Sequence, residues 1–204
     1  MGRPALSEAD VAAVRARILA EAFALFKSGG FDAVSMREVA RRAELAPSGI
    51  YHFYKNRQAL IEAIWFEPVA ATVREMMAIA RSVSDPARRI EAVLTRYFEF
   101  ARLQPEIYRE AFLFVRPRSE APPPGDSLEN LPFFDILCGA IGEGQRSGQF
   151  KAGDAAVLAQ VLWAGVHGVL ALSVNIEGWD YADQDTRNGA MLEVMLRGLA
   201  LCGD

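Results

Sequence analysis

Cysteine and histidine are scarce in this chain of 204 residues, with two of each. Cys138 and Cys202 are far apart and show no ligand-like spacing, so neither a disulfide framework nor a zinc site is indicated. His52 and His167 join no recognisable triad or metal motif. A phosphate loop is missing as well. The nearest approach, Gly142-Glu143-Gly144-Gln145-Arg146-Ser147-Gly148, ends a helix instead of opening one and carries no Lys-Ser/Thr. No catalytic residue, metal or cofactor is therefore expected, and the chain is read as a non-enzyme. There is no strand-like alternation and no internal repeat. The N-terminus lacks an apolar signal core, and Leu6 breaks the myristoylation pattern that Met1-Gly2 would open. A cytoplasmic location is the expectation.

What is present is hydrophobic residues, 51% of the chain, ample for a buried core. The net charge of −4 hides an asymmetry. Residues 1–60 hold nine Lys/Arg against six Asp/Glu, a surplus of three, while the remainder holds 13 against 20, a deficit of seven. A basic head on an acidic body suits a protein that presents one end to a polyanion.

Helical periodicity runs through the chain. Ser7 caps a first helix to about Ser28, with Val11, Val14, Ile18, Ala22, Leu25 and Phe26 on its apolar side. Gly29-Gly30 ends it. Beyond Asn56 a long helix carries Leu60, Ile61 and Ile64 toward Arg81, and Pro68 is expected to kink it or end its first part. Asp85-Pro86 restarts a helix through Ile90, Leu94, Tyr97 and Phe98, and Pro105 opens the next. Arg116 to Asn130, with four prolines and Gly125, reads as the one long loop. Helices follow over Leu131–Ser147, after Asp154, and from Asp183 or Asp185 to near Cys202. The fold class is all-α, with about nine helices.

The organising stretch is Ser35 to Arg57, SMREVARRAELAPSGIYHFYKNR. Ser35 and Glu38 have capping-box spacing at the start of a helix from Met36 to about Ala43. Glu44-Leu45-Ala46 is a turn, and Pro47 sits where a second helix would begin. That helix, Ser48-Gly49-Ile50-Tyr51-His52-Phe53-Tyr54, is rich in groups that meet nucleic acid, and Lys55 and Arg57 follow it. This is helix-turn-helix grammar, in which the second helix enters the major groove.

The segment resembles the DNA-binding domain of TetR/AcrR-type regulators in Gly30-Phe31-Asp32, Ser35-Met36-Arg37-Glu38-Val39-Ala40, Ile50-Tyr51-His52-Phe53-Tyr54 and Asn56-Arg57-Gln58-Ala59-Leu60. The resemblance implies an N-terminal three-helix helix-turn-helix domain over residues 1–55. A helical effector-binding and dimerisation domain follows over 56–204. In this family an arm such as Gly2-Arg3-Pro4 can reach phosphates or the minor groove; the reading preferred here is a solvated tail.

Residue types then suggest roles in DNA binding. Ser35 and Met36 stand at a helix start that can hold a phosphate. Arg37 can read guanine, or else pair with Glu38 or Glu44. Pro47, Ser48 and Gly49 present the end of the recognition helix to the bases. Tyr51 and His52 are aromatic contacts, and Lys55 and Arg57 fix register through phosphates.

Residues Ala155 to Ile176 carry no formal charge, long enough to span a membrane. The polar Gln160, His167, Ser173 and Asn175 favour a helix buried on all sides instead, with no membrane. One face carries Gln160, Trp163, His167 and Val174, and another carries Val161, Gly165, Gly168 and Leu172; two apolar faces mean two packing partners. Trp163 with His167-Gly168 resembles the Trp-His-Gly signature of one class of TetR-type C-terminal domain. Trp163 and His167, with Tyr97, Phe98 and Phe112, are the candidate lining of a mostly apolar effector pocket.

The resulting expectation is a ligand-responsive homodimeric repressor on a pseudo-palindromic operator of double-stranded DNA. It is released by a small effector and joined through its last two long helices. A helical protein-interaction module, or an enzyme without DNA binding, is the alternative.

Overall fold

A computed structural model describes residues 7–113, 132–175 and 180–201. The proline-rich stretch Arg116–Asn130 and the arm Gly2-Arg3-Pro4 lie outside the described residues, as do the side chains of Ser173, Val174 and Asn175. Among the described residues eight α-helices follow one another: α1 Glu8–Gly29, α2 Met36–Arg42, α3 Arg57–Ser82, α4 Pro86–Leu103, α5 Pro105–Tyr108, α6 Pro132–Arg146, α7 Ala155–Asn175 and α8 Gln184–Leu199. Among the described residues there is no strand beyond an isolated bridge between Phe150 and Ala200. The chain divides into two compact units, Met1–Val69 and Ala70–Asp204.

In the first unit, the inward positions of α1, Ile18, Ala22 and Leu25, meet Val34, Met36, Val39, Ala40, Ile50, Tyr54, Leu60 and Ile64 in one buried cluster. Ser7 caps α1 with a full capping box, closed by Asp10. The box expected at Ser35 forms only one arm. Ser35 Oγ accepts from the Glu38 N–H at 3.2 Å, but the Glu38 carboxylate turns away to Arg41 and Arg42, at 2.6 and 2.9 Å. Two guanidiniums outbid one exposed backbone N–H, and they hold the Glu38 carboxyl down at about 2.

The turn after α2 is a Schellman closure. The Leu45 N–H donates to Ala40 O at 2.8 Å and the Glu44 N–H to Arg41 O at 3.3 Å. It forces Glu44 to φ 56°, a conformation most side chains avoid. Glu44→Gly is expected to stabilise the protein by about 1 kcal/mol. A thermal melt checks it, and an unchanged or lower midpoint would mean that the Glu44 side chain contributes something that offsets its backbone strain.

The second helix of the motif is shorter than the sequence suggests. Gly49–His52 forms a single 3₁₀ turn, closed by Phe53 N–H to Ile50 O at 3.0 Å. Ser48, Gly49 and the β-branched Ile50 are weak helix formers. Burial of Ile50 and Tyr54 pins both ends of the segment within about one turn.

Helix α3 does not end at Pro68, the second of the two outcomes expected there; it is continuous from Arg57 to Ser82. One proline removes one main-chain hydrogen bond, and buried Ile64 on one side and Thr72 and Met76 on the other hold the adjoining turns.

In the second unit, α4 lays Ile90, Val93, Leu94, Tyr97 and Phe100 inward, and Arg89 ties it to Glu143 of α6 at 2.7 Å. The Phe150 ring fills the space where Gly144 lacks a side chain, since a Cβ there would lie 2.1 Å from it. Helix α7 is long and apolar enough to cross a membrane by length and composition alone, but it is not buried on all sides as expected. Only 22% of the Ala155–Leu172 window is buried in the single chain. Ala159, Leu162, Val166 and Leu170 face the core, whereas Val157, Val161, Ala164, Gly168 and Leu172 form a bare stripe.

Candidate functional site

The head gathers its exposed polar groups around the 3₁₀ turn. Pro47, Ser48, Tyr51, His52 and Lys55 are all exposed, Tyr51 at 55%. Arg37, on α2, is exposed and has no ion-pair or hydrogen-bond partner among the described residues, because Glu38 is taken by Arg41 and Arg42. A Cβ added at Gly49 would meet only Leu45 Cβ at 3.8 Å, an ordinary contact, so nothing inside the head requires a glycine there. Its small size is left for something that approaches from outside.

Two of the sequence candidates are employed otherwise. Met36 is 9% exposed and belongs to the buried cluster, so its side chain does not meet a phosphate and only its main-chain N–H remains for that role; the first turn of α2 faces the side chain inward. Arg57 bonds the fold itself. Its Nε donates to Val34 O at 2.7 Å and its Nη2 to Phe31 O, which staples the chain ahead of α2 to the start of α3. An arginine after an aromatic run reads as a phosphate anchor in one dimension, and only the nearby carbonyls reveal the staple.

One head residue escaped the sequence reading. Arg15 of α1 lies with its guanidinium 5.4 Å from the Tyr54 ring centroid, and its Nη2 donates to Phe53 O at 3.4 Å. It thus braces the end of the 3₁₀ turn and, with Tyr51, His52 and Lys55, borders a groove of about 530 Å³. A separation of 38 residues hides this from any local pattern.

In the body, α4, α6 and α7 bring together Tyr97, Phe133, Trp163 and His167, joined by Tyr108 of α5 and by Phe112 on a π-helical turn, Arg109–Leu113. Trp163 lies close to His167, tilted, at 4.1 Å between centroids, and 4.4 Å from Phe133. His167 Nδ1 is 3.0 Å from Trp163 O. A carbonyl only accepts, so Nδ1 carries the proton and Nε2 offers its lone pair to the Tyr97 hydroxyl at 3.2 Å. Burial lowers the His167 pKa from 6.5, opposed by its bond to Trp163, and burial raises that of Tyr97. All of these groups are neutral in the ordinary range.

Of the candidate lining, Tyr97, Phe112, Trp163 and His167 do meet. Phe98 does not make a ring contact with them among the described residues, although it is buried at 5%. One step along α4 turns a side chain by about 100°. Phe100, three positions beyond Tyr97, returns to its face and takes the place expected for Phe98, at 6.1 Å from Tyr97. Tyr108 and Phe133 are the residues missed: Tyr108 is one helical turn from Phe112, a spacing that could have shown it, whereas Phe133 is distant in sequence and only packing joins it.

The glycines of α7 also separate. A Cβ at Gly165 would strike Met191 and Met195 of α8 at 2.2 Å, so Gly165 serves the contact of α7 with α8 inside the chain, not the bare stripe. A Cβ at Gly168 would meet nothing. On α8, Val194 at 68% exposure, with exposed Ala190 and Gly198, continues an uncovered face of small and apolar residues.

Comparison with known proteins agrees with this geometry. Residues 18–64 match the family described as bacterial regulatory proteins, tetR family. Residues 90–199 match a tetracyclin repressor-like C-terminal domain. The HTH-type transcriptional repressor KstR of Rhodococcus jostii (strain RHA1) is 33% identical over 109 residues, covering 50% of this chain and 48% of that protein. The chain thus spans about half the length of this relative. A protein of unknown function from Rhodococcus sp. RHA1 has a similar fold, with TM-score 0.70 at 24% identity over 92% of this chain and 96% of the other. So has a TetR-family transcriptional regulator from Pectobacterium atrosepticum, with TM-score 0.70 at 21% identity over 98% and 100%.

Proposed function

This chain belongs to the tetR family of bacterial regulatory proteins, and on that premise we propose that it is a ligand-responsive, homodimeric transcriptional repressor. Residues 1–55 are its DNA-binding head, and residues 56–204 its effector-binding and dimerising body. It works in the cytoplasm, without enzymatic activity and without a membrane.

The observation that carries the reading is the idle set around the recognition turn. Arg37, Tyr51, His52 and Lys55 are exposed and leave their polar groups unspent on the fold, beside a Gly49 that the fold does not need. Such groups suit a duplex, with Arg37 on a base edge and Tyr51, His52 and Lys55 on phosphates. Ser35 adds a hydroxyl at the start of α2, and Pro47 and Ser48 flank the approach. Two heads on a dimer then meet half-sites whose centres are about 34–36 Å apart, or a multiple of that.

The bare stripes of α7 and α8 support an isologous contact with a second copy. Trp163 and His167-Gly168 support the Trp-His-Gly class of body. A small, mostly apolar effector in the aromatic cluster releases the DNA by binding the released state more tightly than the bound one. A coupling of about 1–3 kcal/mol would change operator affinity roughly 5–150-fold.

The test is a fluorescence-anisotropy titration of the purified chain with the DNA upstream of its own gene, at several salt concentrations, against scrambled DNA of equal length. Preference for the upstream DNA, with affinity falling as salt rises, is expected. Equal, weak binding to both would remove the regulator reading and leave the protein-interaction module.

A further inference from the structure

We propose that the effector is an uncharged, flat molecule that presents one hydrogen-bond acceptor to the Tyr108 hydroxyl inside the aromatic cluster of the body. The proposal rests on the ligand-responsive reading above and names the ligand class of that same site.

Among the cluster's polar side-chain atoms that are shut from water, one has no partner. His167 Nδ1 is spent on Trp163 O, and His167 Nε2 accepts from the Tyr97 hydroxyl. Tyr108 is 1% exposed, yet its Oη is shut from water and has no hydrogen-bond partner among the described residues. A buried hydroxyl without a partner is costly, and in native proteins it commonly marks a group waiting for a ligand or an ordered water. The proton left over belongs to Tyr108, so the molecule that completes the site brings the acceptor.

Charge is absent from the same space. Burial keeps both phenols protonated and the imidazole neutral. The other rings in contact are Phe100, Phe112, Phe133 and Trp163. Of the ionic groups that flank these rings along the chain, Arg96 pairs with Glu75 at 2.6 Å and Arg109 with Glu106 at 3.5 Å. A carboxylate or ammonium would enter without a counter-ion and lose its water, which selects against ionised ligands.

Shape follows from the walls. The rings of Tyr97, Phe112, Phe133 and Trp163 stand 4.4–6.0 Å apart, at angles between 25° and 82°. Rings this close are in contact with one another, so a guest enters by displacing one of them, and a planar molecule in its place keeps the face and edge contacts. Phe112 is half-buried and rides on the π-helical turn rather than on a regular helix. π-helical turns are an uncommon form that recurs at functional sites. Phe112 is therefore the ring that moves to admit the guest.

The experiment uses three probes of nearly one shape: acetophenone, which is neutral with an acceptor; α-methylstyrene, which is neutral without one; and benzoate, which is charged. Binding of each to the full chain is read by calorimetry, for wild type and for Tyr108→Phe. Wild type is expected to bind acetophenone about tenfold more tightly than α-methylstyrene, the worth of one buried hydrogen bond, and to bind benzoate weakest. Tyr108→Phe is expected to bring acetophenone and α-methylstyrene to within about twofold while leaving α-methylstyrene unchanged. The proposal is overturned if benzoate binds best, if the variant keeps the preference, or if none of the probes binds wild type up to its solubility. Because the readout needs no DNA, a failure to bind operator would strike the regulator reading and leave this result standing.

Discussion

Gly168→Arg is expected to yield a folded protein that sediments as a monomer of about 22 kDa. A Cβ at position 168 meets no atom of its own chain within 4 Å and the position is exposed, so the monomer should keep its fold; an arginine there even favours the helix over glycine. The same position lies in the bare stripe of Val157, Val161, Ala164 and Leu172, and in the proposed dimer an arginine there would be desolvated against apolar residues. An unpaired charge at an interface costs on the order of 2–5 kcal/mol, so the dimer dissociation constant should rise roughly 30- to 5000-fold. Operator affinity should collapse with it, because a single head makes half the contacts. Gly165→Arg is the informative companion. Its side chain would collide with Met191 and Met195, and it should lower the melting temperature of the chain itself. A wild-type dimer persisting in Gly168→Arg at micromolar concentration would place the interface elsewhere.

The second large effect separates two arginines that sequence alone treats alike. Arg57→Ala removes hydrogen bonds from a charged group to two main-chain carbonyls, those of Val34 and Phe31; Phe31 O keeps the Val34 N–H, and Val34 O loses Arg57 Nε. Destabilisation of about 2–3 kcal/mol is expected, visible as a lower denaturant midpoint, with DNA binding weakened indirectly as the α2 entry loosens. Arg37→Ala should move stability by less than about 0.5 kcal/mol, because the fold gives Arg37 nothing to hold. It should instead erase about 1–3 kcal/mol of preference at particular base pairs across a set of single-base operator variants. If Arg37→Ala weakens every variant by the same factor, it touches phosphate only. If Arg57→Ala melts like wild type and loses DNA binding uniformly, the staple is dispensable and the arginine serves the phosphate backbone.

Local signals carried much of the architecture. Ser7, Asp85 and Asp183 are capping residues followed by apolar residues at helical spacing, and each does begin a helix in the structure. Capping bonds span three residues, so chain order is enough to reveal them. The Ser35–Arg57 motif was legible for the same reason: its turn, its exposed aromatics and its buried Ile50 all lie within one short stretch. Three-dimensional packing decided the rest. Whether Arg57 faces a phosphate or the carbonyls of Phe31 and Val34 depends on a contact across more than twenty residues. Whether Phe98 or Phe100 joins Tyr97 depends on the rotation of α4 against its neighbours, and composition is silent about rotation. Gly165 and Gly168 look alike in the sequence, but the methionines of α8 cover one and leave the other bare. The sequence determined which segments are helical and which end is basic, because both follow from neighbouring residues. Tertiary structure decided which side chains remain unspent, because that depends on which distant groups consume the others.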